Sequence, residues 1–448
     1  MVKDLNITIK RLIWRRLREG KRFKHIFSCI QEIDRFSKEE IRRLQLETLK
    51  EIIRHSYSSV PYYRRLFDSI GLSVNGRFNF EDIAKIPFLT KDEIARNTHD
   101  FISSHSKKAF LKKTASSGTT GRPVVLYRDL YSINFENAIL WKQRSWAGIK
   151  HGDKKATIRG EFVVDGSKNK PPFWKIDWLG KELILSSYHI SSKNVRYYLE
   201  ILKNFRPHYI EAYPSSLYLL ARFIKDLGLE SVPVKAAITS SEMIEDYKKA
   251  LIEDVFRCKV YDFYGNAERV SAIATCPAGN YHILPEYGFT ELIDLKEDKY
   301  NKELTGTSFI NMSMPLIRYR TGDMVVPSPG QCECGRQSQV VQSIIGRLDD
   351  IIVTPEGRYI PVIDSILDRD FYDIVEIQFI QEDHCSIRVR LVPGRDFGNS
   401  DRNKLISKLS ERIGSNMKIY VEEVDSIERA KNGKYRTVIS NIKRKEYE

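Results

Sequence analysis

After residue 37 apolar side chains run through Leu44, Leu46, Leu49, Ile52 and Ile53, mostly at the three- and four-residue steps of one helical face. Ser37-Lys38-Glu39-Glu40 supplies a start signal, a hydroxyl for an orphan N–H and a carboxylate three residues on to reach back. Pro61-Tyr62-Tyr63 interrupts the pattern, and residues 1–75 as a whole read as helical. From about residue 110 the texture changes. Residues 194–205 carry a helical pattern and His208-Tyr209-Ile210 a strand; residues 234–239 read as a strand, 242–256 as a helix and 259–263 as a strand. Such alternation predicts α/β layering. Beyond residue 351, strand-like runs at 375–380 and 386–392 are flanked by two helical stretches, which predicts a small α+β domain. The polar run Gly346-Arg347-Leu348-Asp349-Asp350 separates the two textures. The expected division is therefore a large domain over 1–348, with 1–75 as a helical lead-in, and a small domain over 349–448.

Charge alters this picture at one end. The chain of 448 residues carries a formal +14, a balance that draws anions such as nucleotides, CoA, nucleic acid or a membrane surface. Nine of the cations crowd the first 24 residues (Lys3, Lys10, Arg11, Arg15, Arg16, Arg18, Lys21, Arg22, Lys24) against Asp4 and Glu19. Leu12, Ile13, Trp14 and Leu17 are interleaved with them. Two readings follow: a basic amphipathic helix lying on an anionic membrane, or a solvated helix with its apolar side packed on the body. No stretch approaches the roughly 20 apolar residues of a membrane span, and residues 1–19 lack the apolar region of a signal peptide, so a cytoplasmic location is expected, with peripheral membrane contact as an addition.

Two local patterns carry chemistry. Thr114-Ala115-Ser116-Ser117-Gly118-Thr119-Thr120-Gly121-Arg122-Pro123 is rich in glycine and small hydroxyls, which let a backbone approach a phosphate closely. It lacks the Gly-Lys-Ser/Thr of a Walker loop, and on its own it is equally a solvated turn. The second pattern is Cys276 and His282 together with Cys332 and Cys334, two tight pairs among six cysteines. Three thiolates and one imidazole suit a closed, structural tetrahedral Zn²⁺ site; buried cysteines with a satisfied histidine are the plainer reading. A basic zinc-containing nucleic-acid-binding protein is a competing class, but the RRM, KH and helix-turn-helix patterns are missing, and no nucleic-acid partner is expected.

Further motifs follow in order: Tyr264-Gly265-Asn266-Ala267-Glu268, Arg318-Tyr319-Arg320-Thr321-Gly322-Asp323, Gly346-Arg347-Leu348-Asp349-Asp350 and Asn432-Gly433-Lys434-Tyr435-Arg436. With the loop at 114–123 they resemble the signature motifs of the adenylate-forming superfamily of acyl-CoA synthetases, luciferases and peptide-synthetase adenylation domains. Tyr-Gly-x-x-Glu and the Cys-x-Cys-Gly-Arg segment at 332–336 resemble the phenylacetate–CoA ligase family in particular. The basic N-terminus, Pro61-Tyr62-Tyr63 and Tyr213-Pro214-Ser215-Ser216 are similar to members found with capsular-polysaccharide genes. The resemblance implies an α/β fold with a mobile C-terminal domain. It also implies an AMP-forming acid–thiol ligase that uses ATP and Mg²⁺ to make an acyl-adenylate and then transfers the acyl group to a thiol, with CoA first among acceptors and an amine or carrier protein as alternatives.

Roles carry over motif by motif as expectations. Ser116, Ser117, Gly118, Thr119, Thr120 and Gly121 would hold the β- and γ-phosphates, Tyr264 with Gly265 would meet adenine, and Glu268 would ligate Mg²⁺. Asp323 would accept from the ribose hydroxyls. Arg347 would reach ribose or phosphate, and Lys434 would bridge the reacting carboxylate and α-phosphate. Asp349 would be the hinge of the small domain. Ser241-Glu242 stands where relatives often have Gly-Glu, a further nucleotide-binding position.

Overall fold

The computed structural model describes residues 16–429 and 435–442, except 75, 77, 116–123, 161–162, 165–169, 296–297, 348–351, 356–358, 361–373 and 415. They fall into two compact units, 1–150 with 263–344 and 151–262 with 345–448.

The first unit opens with helices at Lys21–Glu32, Lys38–Ser59 and Pro61–Ser69. Ser37 caps the second as the pattern predicts: its Oγ accepts from the Glu40 N–H at 3.2 Å, and Glu40 answers to the Ser37 N–H at 2.8 Å. Pro61 starts the third, at the position where a missing N–H costs nothing. Helix Lys21–Glu32 buries Phe23, Ile26 and Ile30 and packs on helix Leu130–Trp146. From Lys21 onward the apolar side is thus taken by the protein body, leaving Lys21, Arg22 and Lys24 exposed. Leu12, Ile13 and Trp14 lie outside the described residues. Among the described residues no helix is long and apolar enough to cross a membrane.

A sheet follows in the same unit, in the spatial order Gly288–Leu295, Asp298–Ser308, Tyr319–Pro327, Val340–Arg347, Tyr281–Ile283, Ala272–Thr275, with Phe263–Gly265 pairing antiparallel onto the last. Two glycines let Val270 press against it. A Cβ at Gly288 would meet the Val270 carbonyl oxygen at 2.3 Å, and one at Gly306 would meet it at 2.5 Å. Val270 closes the Tyr-Gly-x-x-Glu turn, so these glycines set how deeply that turn sits.

The second unit is layered as the alternating texture predicts. Strands Ala236–Ser240, Tyr209–Ala212, Lys155–Arg159 and Glu182–Ser186 run parallel in that order, with Trp174–Asp177 antiparallel at the edge. Helices Val195–Phe205, Pro214–Asp226 and Asp246–Phe256 bury Leu199, Leu202, Leu217, Leu220, Ile252 and Phe256 against them. The third helix begins four residues later than the pattern over 242–256 suggests. The C-terminal part builds its own sheet, in the order Lys418–Glu423, Ser386–Pro393, Ile374–Asp383, Val438–Ser440, around Phe379, Val389, Leu405 and Leu409. Helix Asn399–Ile413 supplies the two leucines. Of the two helical stretches expected to flank these strands, this is the one found among the described residues.

Candidate functional site

Tyr264 and Asp323 are 59 residues apart and meet. The Tyr264 hydroxyl donates to Asp323 Oδ2 at 2.6 Å. Asp323 sits one residue past Gly322, whose φ of 70° is the left-handed turn glycine favours, and its N–H donates to Thr321 Oγ1 at 3.0 Å. Burial, then the Asp323 charge, pushes the Tyr264 phenol well above its ordinary range, so it stays protonated and keeps donating.

Glu268 stands four residues beyond Tyr264, half-buried, and its Oε1 accepts from the Tyr319 hydroxyl at 2.9 Å. Tyr319 belongs to the same Arg-Tyr-Arg-Thr-Gly-Asp segment as Asp323. The turn between is built locally: the Arg269 N–H donates to Asn266 O at 3.2 Å, the Val270 N–H to Asn266 Oδ1 at 3.1 Å, and Arg269 takes φ 59°. Arg128 Nη2 donates to the carbonyl of Ala267. Arg128 ends the hairpin Lys112–Ala115/Val125–Arg128, which brackets the Ser/Thr/Gly-rich loop, so the root of that loop is tied to the backbone beside Glu268. Burial, then neighbouring Arg269, draws the Arg128 guanidinium down to about 10. Neither Arg128 nor Tyr319 has a role in the motif reading, because a single strand residue gives no local signal of its partner.

Ser241 takes φ 75°, a conformation that suits glycine better than serine. Glu242 turns its carboxylate onto two backbone N–H groups. Oε2 accepts from Ser215 at 3.0 Å and Oε1 from Tyr435 at 2.6 Å. Burial, the largest effect, still pushes this carboxyl above the usual range.

Of the remaining expected residues, Ser116, Ser117, Gly118, Thr119, Thr120, Gly121, Asp349 and Lys434 lie outside the described residues, as does the side chain of Arg347. A cavity of about 570 Å³ in the first unit is lined by Lys38, Arg42, Phe80, Phe289 and Arg336 among others, none of them in the nucleotide motifs.

The cysteine–histidine set converges. One donor atom from each of Cys276, His282, Cys332 and Cys334 lies within 4.8 Å of all the others. Cys276 Sγ is 3.6 Å from Cys332 Sγ, and Cys334 Sγ is 3.4 Å from His282 Nε2. A regular tetrahedron around Zn²⁺ at thiolate distance has edges of about 3.8 Å, so the donors fit that ion. Ser338 Oγ engages His282 Nδ1 at 2.9 Å, which orients the ring with Nε2 toward the sulfurs. Burial, then Arg336, pulls the His282 imidazole down to about 4, so the ring is neutral. Burial raises the Cys334 thiol, but hydrogen bonds with Arg336, Cys332 and Cys276 together outweigh it and hold the thiol below its ordinary range.

Residues 349–441 match the CapK C-terminal domain. The chain is 28% identical to Protein CapK of Staphylococcus aureus, over 98% of its length and 97% of the relative's. It is 25% identical to the phenylacetate-coenzyme A ligase of Aromatoleum evansii, over 92% and 96%. This chain is a homologue of CapK and of the phenylacetate–coenzyme A ligases. A crystal structure of 2-hydroxyisobutyryl-CoA ligase, in the postadenylation state with an acyl-AMP, superposes with a TM-score of 0.70 at 18% identity, covering 91% of each chain. The fold is that of the adenylate-forming CoA ligases.

Proposed function

We propose that this protein activates a carboxylic acid with ATP and Mg²⁺ as an acyl-adenylate and transfers the acyl group to a thiol, CoA first. The observation that carries this reading is the convergence of Tyr264, Asp323 and Glu268 from two separate motifs, in a homologue of CoA ligases. In it, Asp323, held by Tyr264, accepts from the ribose; Glu268, oriented by Tyr319, offers oxygen to Mg²⁺, the hard cation that neutralises phosphate charge. The 116–121 loop and Arg347 hold the phosphates and ribose. Lys434 stabilises the charge that develops as carboxylate oxygen bonds to the α-phosphorus and pyrophosphate leaves. The small domain begins at 349, and Asp349 is its hinge; Asp349→Pro, which fixes φ near −65°, should spare adenylation and impair thioester formation. Equal loss of both in a folded variant would count against the hinge. The reading places the enzyme in the cytoplasm, its product serving polysaccharide biosynthesis. Any peripheral membrane contact through helix Lys21–Glu32 would be electrostatic, since that helix's apolar side is buried.

A panel of carboxylic acids, scored by pyrophosphate release with and without CoA, tests the reading. At least one acid should give release, and CoA should convert the product to a thioester; transfer only to an amine or carrier protein would redirect the second step. Absence of acid-dependent release across the panel would overturn the reading.

Zinc completes the assignment. Cys276, His282, Cys332 and Cys334 hold one structural Zn²⁺ that pins the segment after Glu268 to the segment after Asp323. With four protein donors it leaves no open position and takes no part in the reaction. Purified protein should contain about one zinc per chain. Cys332→Ser should lose the metal and melt roughly 5–10 °C lower. Metal-free protein with an unchanged melting temperature would show these to be ordinary core residues.

A further inference from the structure

Glu242 makes a contact that its expected role does not use. The motif reading places it at the nucleotide, yet both carboxylate oxygens are already committed to backbone N–H groups, those of Ser215 and Tyr435. Ser215 lies in the first turn of helix Pro214–Asp226, where backbone donors have no partner within the helix, and where the positive end of the helix dipole favours an anion. One oxygen therefore satisfies a helix end. The other reaches the residue that directly follows Lys434 in the chain.

Tyr435 is held on all sides. Its hydroxyl donates to the Ile377 carbonyl and accepts from the Ile377 N–H at 3.1 Å. Two cations lie over its ring, the Lys248 ammonium at 5.4 Å and the Arg429 guanidinium at 4.6 Å from the centroid. Each cation is anchored in turn, Lys248 to Glu245 at 2.8 Å and Arg429 to Glu376. Side chain and backbone nitrogen of Tyr435 are thus both fixed, and a single peptide bond joins that nitrogen to Lys434. The late start of helix Asp246–Phe256 belongs to the same arrangement: the chain at Glu242 is turned toward Ser215 and Tyr435 instead of beginning the helix.

We infer that Glu242 is a positioning residue for adenylation: by holding the Tyr435 amide it sets where the chain presents Lys434. This rests on the reading of Lys434 as the adenylation lysine. A displacement of about 1 Å in a reacting group can cost about 100-fold in rate, so a lost backbone anchor beside the lysine should be visible in turnover.

The test compares full-length wild type with Glu242→Gln, which puts an amide N–H₂ where an acceptor is needed. The kcat of acid-dependent ATP–pyrophosphate exchange should fall about 10–100-fold, with KM for ATP within about twofold of wild type. Thioester formation from supplied acyl-adenylate should be unchanged. Without any substrate, trypsin should cut the Lys434–Tyr435 bond faster in the variant; a melting temperature measured alongside separates this from general unfolding. A raised KM for ATP with unchanged kcat would instead make Glu242 a nucleotide contact. Unchanged kcat with unchanged tryptic cleavage would overturn the anchor altogether. Wild-type protein inactive with every acid would defeat the functional reading, and the trypsin comparison would still decide the anchor.

Discussion

Lys434→Ala should lower acid-dependent pyrophosphate exchange by at least about 10²–10³-fold, the scale expected when a preorganised charge-stabilising group is removed. The residue sits in Asn-Gly-Lys-Tyr-Arg, within the 349–441 match to the CapK C-terminal domain. Thioester formation from supplied acyl-adenylate should fall far less, because no pyrophosphate departs in that step. Folding should be untouched, because Tyr435 itself stays in place against Ile377, Lys248 and Arg429. Wild-type exchange in the variant would remove Lys434 from the mechanism.

Lys142→Met should cost about 3–5 kcal/mol of stability, the largest structural effect expected of any single change here. The ammonium is almost completely buried and holds Glu286 at 2.6 Å and Asp34 at 2.9 Å. Glu286 is itself buried, with a side-chain exposure of 3%. Methionine would preserve the bulk and strand that carboxylate without a counter-charge. Asp34 would keep Trp146 Nε1 at 2.6 Å and Arg336 at 3.2 Å, so the N-terminal helices should loosen without detaching. Urea denaturation measures the loss. Adding Glu286→Gln to Lys142→Met should recover part of it, since the stranded charge is gone. A cost below about 1 kcal/mol would mean that water reaches Glu286 in the variant.

What the sequence discloses here follows from how local each signal is. The Ser37–Glu40 cap is complete within four residues, and the helix it announces is found where expected. The alternating texture from about residue 110 reports strands and helices because each element buries one face within its own length. The cysteine–histidine cluster is legible for the same reason: Cys276 with His282 and Cys332 with Cys334 are two short-range pairs, and only their meeting is tertiary. Opaque features are those whose partner is distant and chemically ordinary. A Glu at 242 looks like part of a helical run, and only the fold reveals that its oxygens are taken by Ser215 and Tyr435. Arg128 and Tyr319 orient the Glu268 turn through contacts that periodicity does not encode. The basic N-terminus is legible only in part: Phe23, Ile26 and Ile30 lie against helix Leu130–Trp146, while Leu12, Ile13 and Trp14, on which the membrane reading rests, lie outside the described residues.

The first unit is discontinuous in the chain, 1–150 with 263–344, and this gives its folding a timetable. Asp34 leaves the ribosome early, Lys142 follows about 110 residues later, Glu286 later still, and Arg336 about 300 residues after Asp34. At about 5–20 residues per second, the last partner arrives roughly 15–60 s after the first. Cys276 and His282 likewise precede Cys332 and Cys334, so the four-donor cluster is complete only once residue 334 has been made. Until helix Leu130–Trp146 has emerged, helix Lys21–Glu32 has an apolar side and no helix to pack it on. A nascent chain that stalls before residue 146 has emerged would present that side to whatever chaperone or protease waits at the tunnel exit.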